Sequence, residues 1–271
     1  MRSLSLDGPS IATGAYVGLV GYVAGTAVGI DGTGLLAGCG LTWLLVALAL
    51  GRRPDLWVAL GRRRLLAVPT VVPMAAAVVL VLEDEFVTGV DVSLSVLFSL
   101  LGFIVVGFAI WLLGNRAYAD RVAGELRAYW IAEPDPGRRR QIRRWSLLLG
   151  LGTVAAFVGV LYGAPSFLLS GLLAALITML INGRRSREYE ACENGLKYAD
   201  IGTVSVQYLP WERFDGLRET DEAIVLERRW WPDERMAADE VPPDAREMMR
   251  AAVDSSTNRY GNRDRCQCGD I

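Results

Sequence analysis

The side chains able to do chemistry in this sequence are few. Cys266-Gln267-Cys268-Gly269 places two thiols one residue apart. A tetrahedral zinc site needs four ligands, usually Cys or His. The chain holds four Cys and no His. Cys39 falls in an uncharged run and Cys192 in a strand-like stretch, so neither completes the set. A site shared between two chains is one reading; two free thiols in a polar tail is the other. Gly29-Ile30-Asp31-Gly32-Thr33-Gly34 with Gly38 faintly resembles a phosphate loop, but no Lys follows it. With no His, no paired carboxylates in an apolar run and no nucleophile motif, acid–base and covalent catalysis lack their parts. No enzyme activity, catalytic residue, metal or cofactor is expected.

The elements that would position any site come from the hydropathy pattern. Of 271 residues, 28 are basic and 30 acidic, for a net charge of −2, which gives no argument for nucleic acid as a partner. Hydrophobic residues make up 52% and concentrate before residue 183. That distribution excludes a single soluble globule and a disordered chain. Four scattered Cys exclude a disulfide-rich secreted domain. Six runs free of Asp, Glu, Lys and Arg predict membrane spans at about 11–30, 32–50, 65–82, 92–113, 146–162 and 165–182. A bilayer core about 30 Å thick calls for roughly 20 such residues per helix. The last two runs are short and joined by Gly163-Ala164-Pro165, so a re-entrant hairpin is the alternative there. A short basic region followed by Asp7 argues against a cleaved signal peptide.

Orientation follows from the connections. Arg52, Arg53, Arg62, Arg63 and Arg64 lie between the second and third spans. Arg116, Arg121, Arg127, Arg138, Arg139, Arg140, Arg143 and Arg144 lie between the fourth and fifth. Arg2 precedes the first span, and Arg184 and Arg185 follow the last. The opposite connections carry only acids: Asp31, Glu83, Asp84, Glu85 and Asp91. Basic residues stay on the cytoplasmic side, so a multi-pass cell-membrane protein with both termini cytoplasmic is expected. Arg138 to Arg144 form a belt that either attracts anionic head groups or only sets topology.

Small residues predict how the spans pack. Gly14 and Gly18, then Gly21, Gly25 and Gly29, recur at steps of four. Such faces let helix backbones approach closely in lipid. Packing within the chain and homo-oligomerisation through the first span are the two readings. Gly38, Gly150, Gly152 and Gly159 suit the same use. Pro69 and Pro73 are expected to bend the third span. The hydroxyls Ser99, Thr153 and their neighbours are expected to bond back to their own helices. Without intramembrane charges or His, ion-coupled transport is disfavoured.

Between spans, Pro54 to Leu60 predict a short helix on the inner surface, with Trp57 at interface level. Tyr118, Val122, Leu126 and Tyr129 recur at helical steps, predicting that the fourth span continues to about Ile131. Glu133-Pro134-Asp135-Pro136-Gly137 breaks it.

From residue 187 the chain changes character, with nineteen acids against twelve bases. Lys197 is its only Lys, against 27 Arg. Val204, Val206 and Tyr208 alternate with polar residues, as in a half-buried strand. Asn194-Gly195 predicts a hairpin turn, and Thr220-Asp221-Glu222 another. Pro242-Pro243-Asp244 opens a helix with Ala245, Met248, Met249 and Ala252 on one face. Five or six antiparallel strands and one helix follow, in a cytoplasmic domain at 186–254, after a transmembrane domain at 1–185 and before a disordered tail at 255–271. Trp211 is expected to pack where a strand meets the core, and Trp230 or Trp231 to offer an exposed contact. The acidic domain is expected to dock on its own Arg-rich loops, an attraction weakened by salt.

Glu193-Asn194-Gly195-Leu196-Lys197-Tyr198, Leu209-Pro210-Trp211-Glu212-Arg213-Phe214, Ile224-Val225-Leu226-Glu227 and Val241-Pro242 with its helix carry a resemblance. Over about 187–253 the chain resembles the pleckstrin-homology-like (PH-like) domains that bacteria and archaea append to membrane helices. The resemblance covers about a quarter of the chain. It implies a curved sheet or barrel closed by a terminal helix, no shared catalytic residues, and a role in protein interaction or membrane-associated assembly. The expected function is a non-enzymatic integral membrane scaffold or regulator, with the lipid bilayer and a protein bound at the cytoplasmic domain as partners. The alternative is a passive channel or transporter regulated by that domain.

Overall fold

The structure is a computed structural model describing residues 7–30, 32–83, 94–163, 166–182, 185–228 and 231–266. The chain divides into two compact units, 1–122 and 123–271.

The first unit is helical. It comprises α1 (Gly8–Ala27), α2 (Thr33–Gly51), α3 (Asp55–Arg62), α4 (Val68–Glu83) and α5 (Leu94–Val122). Asp7 caps α1 by accepting the Ser10 N–H at 3.1 Å, and its carboxylate lies 3.7 Å from Arg121 near the end of α5. Gly32, with φ +98°, turns the chain between α1 and α2, and that conformation accounts for a glycine there. The resemblance to a phosphate loop thus reduces to a helix-to-helix turn; Asp31 lies outside the described residues. The short surface helix predicted at 54–60 is α3, with Asp55 in its first turn and Arg62 in its last. Trp57 is buried within the protein. The chain then bends by 96° at Arg63–Arg64 into a 3-10 turn (Leu65–Ala67) and α4. Pro73 lies inside α4.

Small residues mediate the packing here, though only some of the expected ones. Gly14 faces the Trp43 carbonyl and Ala47, Gly18 faces the Cys39 carbonyl, and Gly25 faces Leu35, all on α2. The Trp43 indole N–H donates to the Ile11 carbonyl at 2.9 Å, tying the same two helices. Among the described residues, Gly38 and Gly150 have no neighbour within 4 Å of the Cβ position, so they do not mediate close packing within this chain. Gly61 against Tyr118, Gly107 against the Pro69 backbone and Gly114 against Leu66 do that work for α3, α4 and α5 instead. Thr13, Thr42, Ser99 and Thr153 each donate to a carbonyl four residues back in their own helix, as expected.

The second unit contains β1 (Leu126–Ala132), α6 (Pro136–Leu161), α7 (Ser166–Asn182), β2 (Arg187–Cys192), β3 (Gly195–Asp200), β4 (Val206–Pro210), β5 (Phe214–Glu219), β6 (Ala223–Arg228), β7 (Glu234–Ala237) and α8 (Pro243–Cys266). An antiparallel sheet has the order β1-β2-β3-β4, and a second has β5-β6-β7. The core between them holds Trp130, Tyr189, Leu196, Trp211, Ile224, Leu226 and Met236, closed by Ala245, Met249 and Val253 of α8.

β1 corrects two expectations. The helix predicted to run to Ile131 ends at Val122, Gly124 adopts φ +78°, and a strand follows. Ala128, Trp130 and Ala132 then turn inward with period two, paired to β2. The β region therefore starts at Leu126 rather than at 186, and it absorbs part of the loop on which it was expected to dock. A third correction concerns 255–271: α8 continues helically to Cys266. Its first turns are anchored on the sheets, and propagating a formed helix is easier than starting one.

Among the described residues, four helices are long and apolar enough to cross a membrane: Gly8–Ala27, Thr33–Gly51, Ser95–Val122 and Arg139–Leu161. The bent pair Asp55–Arg62 and Leu65–Leu80 adds a fifth if read as one span, and Leu169–Ile181 is a shorter apolar helix.

Candidate functional site

Polar side chains concentrate at one end of the β region, where the α6–α7 hairpin leaves and returns. In the register of the first sheet, Ala132, Arg187 and Asp200 stand opposite one another. Ala132 ends the strand before α6, and Arg187 begins the strand after α7. The sheet thus opens for a helical hairpin between its first two strands. That insertion places β1 and β2 as neighbours despite the helices between them.

Two consecutive residues of β7 hold the roots of this hairpin. Glu234, only 5% exposed, accepts from the Arg187 guanidinium at 2.6 Å and from the Tyr189 hydroxyl at 2.9 Å. Its other oxygen lies 3.3 Å from Arg228. Arg187 also donates to Asp200 at 2.7 Å and stacks over the Tyr198 ring at 4.9 Å. Arg235, next along, donates to Asp135 at 2.6 Å. Asp135 is 1% exposed, and its carbonyl accepts the Arg139 N–H that starts α6. The Glu133 N–H donates to Glu240, and the Arg139 guanidinium to Glu133. One face of β7 therefore ties down the start of β2, and the next residue ties down the start of α6.

The electrostatics follow from burial. Burial alone would lower the Arg187 pKa, but the charges of Glu234 and Asp200 outweigh it and raise the value above the ordinary arginine range. Burial raises the Tyr198 pKa, Glu234 adds to the rise, and Arg228 opposes it. Tyr198 donates to Gln207 at 2.5 Å. The Glu234 carboxylate is held by Arg187, Arg228 and the Tyr189 hydroxyl, so the cluster can fix geometry.

Trp211 is buried as expected, its indole N–H donating to the Cys192 carbonyl at 3.0 Å and its ring tilted against Phe214. Gly195, read as a turn residue, begins β3 beyond a Glu193–Asn194 turn. A Cβ there would collide with the β4 backbone at Leu209 and Pro210, which explains the glycine. Trp231 is 62% exposed; Trp230 and Cys268 lie outside the described residues. Cys39 is half-buried on α2, Cys192 is buried in β2, and Cys266 ends α8. Among the described residues, no group of three or more His, Cys, Asp or Glu could hold a metal ion.

Sequence reasoning missed the Glu234 cluster. Its only local signal was a Glu–Arg pair in a short strand, which is unremarkable until the partners are known. Comparison with protein-family models, curated proteins and solved structures finds no match to this chain.

Proposed function

We propose that this chain is a six-span membrane protein with both termini cytoplasmic, acting as a non-enzymatic scaffold or regulator through a PH-like β module. The one observation that carries the reading is the insertion of the apolar α6–α7 hairpin between β1 and β2. A sheet built this way cannot leave its hairpin, so the module is held at the membrane by three chain connections: α5 to β1, β1 to α6 and α7 to β2. Three further features support it. Apolar helices present exposed Leu, Val and Phe side chains along their length. The Arg-rich connections alternate with acidic ones, as topology rules require. Seven strands in two antiparallel sheets followed by a helix, among the described residues, are consistent with the PH-like resemblance. The absence of charged residues in the spans, with the hydroxyls bonded within their own helices, favours a scaffold over a coupled transporter.

Three measurements test this. Cysteine substitutions at Arg62 and Arg140 in intact cells are expected to resist a membrane-impermeant maleimide; labelling from outside overturns the layout. Reconstituted in liposomes, the purified protein is expected to raise solute leak no further than empty vesicles do. From native membranes it is expected to bring a partner protein that Glu234→Ala releases. Solute flux without such a partner would replace the scaffold by a channel.

A further inference from the structure

Large apolar side chains are exposed in two turns at the hairpin end of the β region. Ile201 and Val204, in the β3–β4 turn, are 40% and 53% exposed, and Trp231, in the β6–β7 turn, is 62% exposed. Both turns are tied to the return of α7. The Ile201 N–H donates to the Ser186 carbonyl at 3.0 Å, and Ser186 is four residues past Asn182, where α7 ends. Arg187, the next residue, reaches Asp200 at 2.7 Å and Glu234 at 2.6 Å. Asp200 immediately precedes Ile201, and Glu234 follows Trp231 by three residues.

Chain geometry then limits the height of these side chains. Four residues span at most about 14 Å even fully extended. The head-group layer outside the hydrocarbon core is roughly 5–7 Å deep on each side. If α7 leaves the lipid near Asn182, the two turns stand within a side chain's reach of that layer. Trp is the residue that settles at this depth, since its ring is apolar and its N–H seeks water.

We infer that Ile201, Val204 and Trp231 seat in the cytoplasmic face of the bilayer, as a side-chain attachment of the β module beside its chain connections. The inference rests on the membrane reading proposed above. The occupant is the lipid interface, recognised by apolar burial rather than by head-group chemistry. The charge beside these turns agrees: Arg187 and Arg228 are already engaged by Glu234 and so are not offered to phosphates. An interaction of this kind is insensitive to salt, unlike a basic patch.

The test uses full-length protein in vesicles of phosphatidylcholine and phosphatidylglycerol. Single-cysteine variants in a cysteine-free background carry an environment-sensitive fluorophore at Val204→Cys or Trp231→Cys. Val154→Cys on the exposed side of α6 reports the span, and Asp221→Cys in the β5–β6 turn reports water. Lipids spin-labelled near the head group are expected to quench the probes at 204 and 231 by about twofold or more over that at 221. Lipids labelled deep in the acyl chain are expected to quench the probe at 154. Quenching at 154 with none at 204 and 231 overturns the side-chain attachment and leaves the membrane reading intact; those side chains then belong to a protein partner. No quenching at 154 overturns both. In the native-cysteine protein, brominated lipids are expected to quench a smaller share of tryptophan emission after Trp231→Phe than before. An unchanged share overturns the proposal even if the cysteine-free background does not fold.

Discussion

The contact between α1 and α2 is made by absent side chains, whereas the contact between the two sheets is made by large ones. On α1, Gly14, Gly18 and Gly25 leave room for the α2 backbone and for Trp43 and Leu35. In the core of the β region, Trp130 stacks on its strand neighbour Tyr189 at 5.5 Å, Trp211 leans on Phe214, and the polar end is closed by Glu234 with two arginines. In lipid there is no hydrophobic gain from bringing helices together, so close approach and dispersion must do it. In water, burying aromatic area supplies the stability, and any charge taken inside must be paired. The difference teaches where each region is fragile: the helices to added volume, the sheets to a lost partner.

Glu234→Ala should break the comparison most sharply. It strands Arg187, Arg228 and the Tyr189 hydroxyl in a buried site, a loss of about 3–5 kcal/mol by analogy with other buried pairs. Hydrogen exchange is expected to rise across β2, β3 and β7 while α1 and α2 remain protected. Equal loss in both regions would show that they do not differ in kind.

Gly14→Leu is the converse probe. A Cβ there would stand 2.5 Å from the Trp43 carbonyl oxygen, so the helices must separate, at about 1–3 kcal/mol of overpacking. Gly38→Leu meets nothing within 4 Å and is expected to be neutral. Denaturation in detergent, read by α1–α2 crosslinking, checks the pair. Equal effects at both positions would refute the packing assignment.

Tyr198 sharpens the aqueous side. Its pKa is raised by burial above the ordinary 10.0, so the folded form keeps a proton that the unfolded chain releases. The stability it supplies is complete below pH 10 and is lost as pH rises through the folded value. Tyr198→Phe is expected to flatten the fall in melting temperature above pH 10. An unchanged slope would assign alkaline loss to another group.

The smallest effect is expected at Trp231→Ala. The ring is exposed, so stability in detergent should move by no more than about 0.5 kcal/mol. A larger shift would mean that the ring packs against the protein.

Much of this was legible from local sequence. The apolar runs located helices at α1, α2, α4, α5, α6 and α7, because absence of charge over such lengths needs no knowledge of the fold. Pro54 and Asp55 marked α3, and the Ala245 and Met249 face marked α8. β1 was not legible. Leu126 to Ala132 fits helical steps nearly as well as alternation, and what decides it is β2, which begins at Arg187. The Glu234 cluster was hidden for the same reason. Its members come from β2, β3, β6 and β7, and each looks alone like an ordinary surface charge. Gly61, Gly107 and Gly114 were passed over because only the neighbouring helix shows which glycine faces it.

By itself, then, the sequence determined which stretches are helices apolar enough for lipid and on which connections the arginines fall, since hydropathy and charge are additive along the chain. Tertiary structure alone decided that a strand ahead of the α6–α7 hairpin joins strands behind it, and that Glu234 and Arg235 hold the hairpin's two roots. Strand pairing and buried ion pairs are interactions between distant residues, and no local window contains both partners.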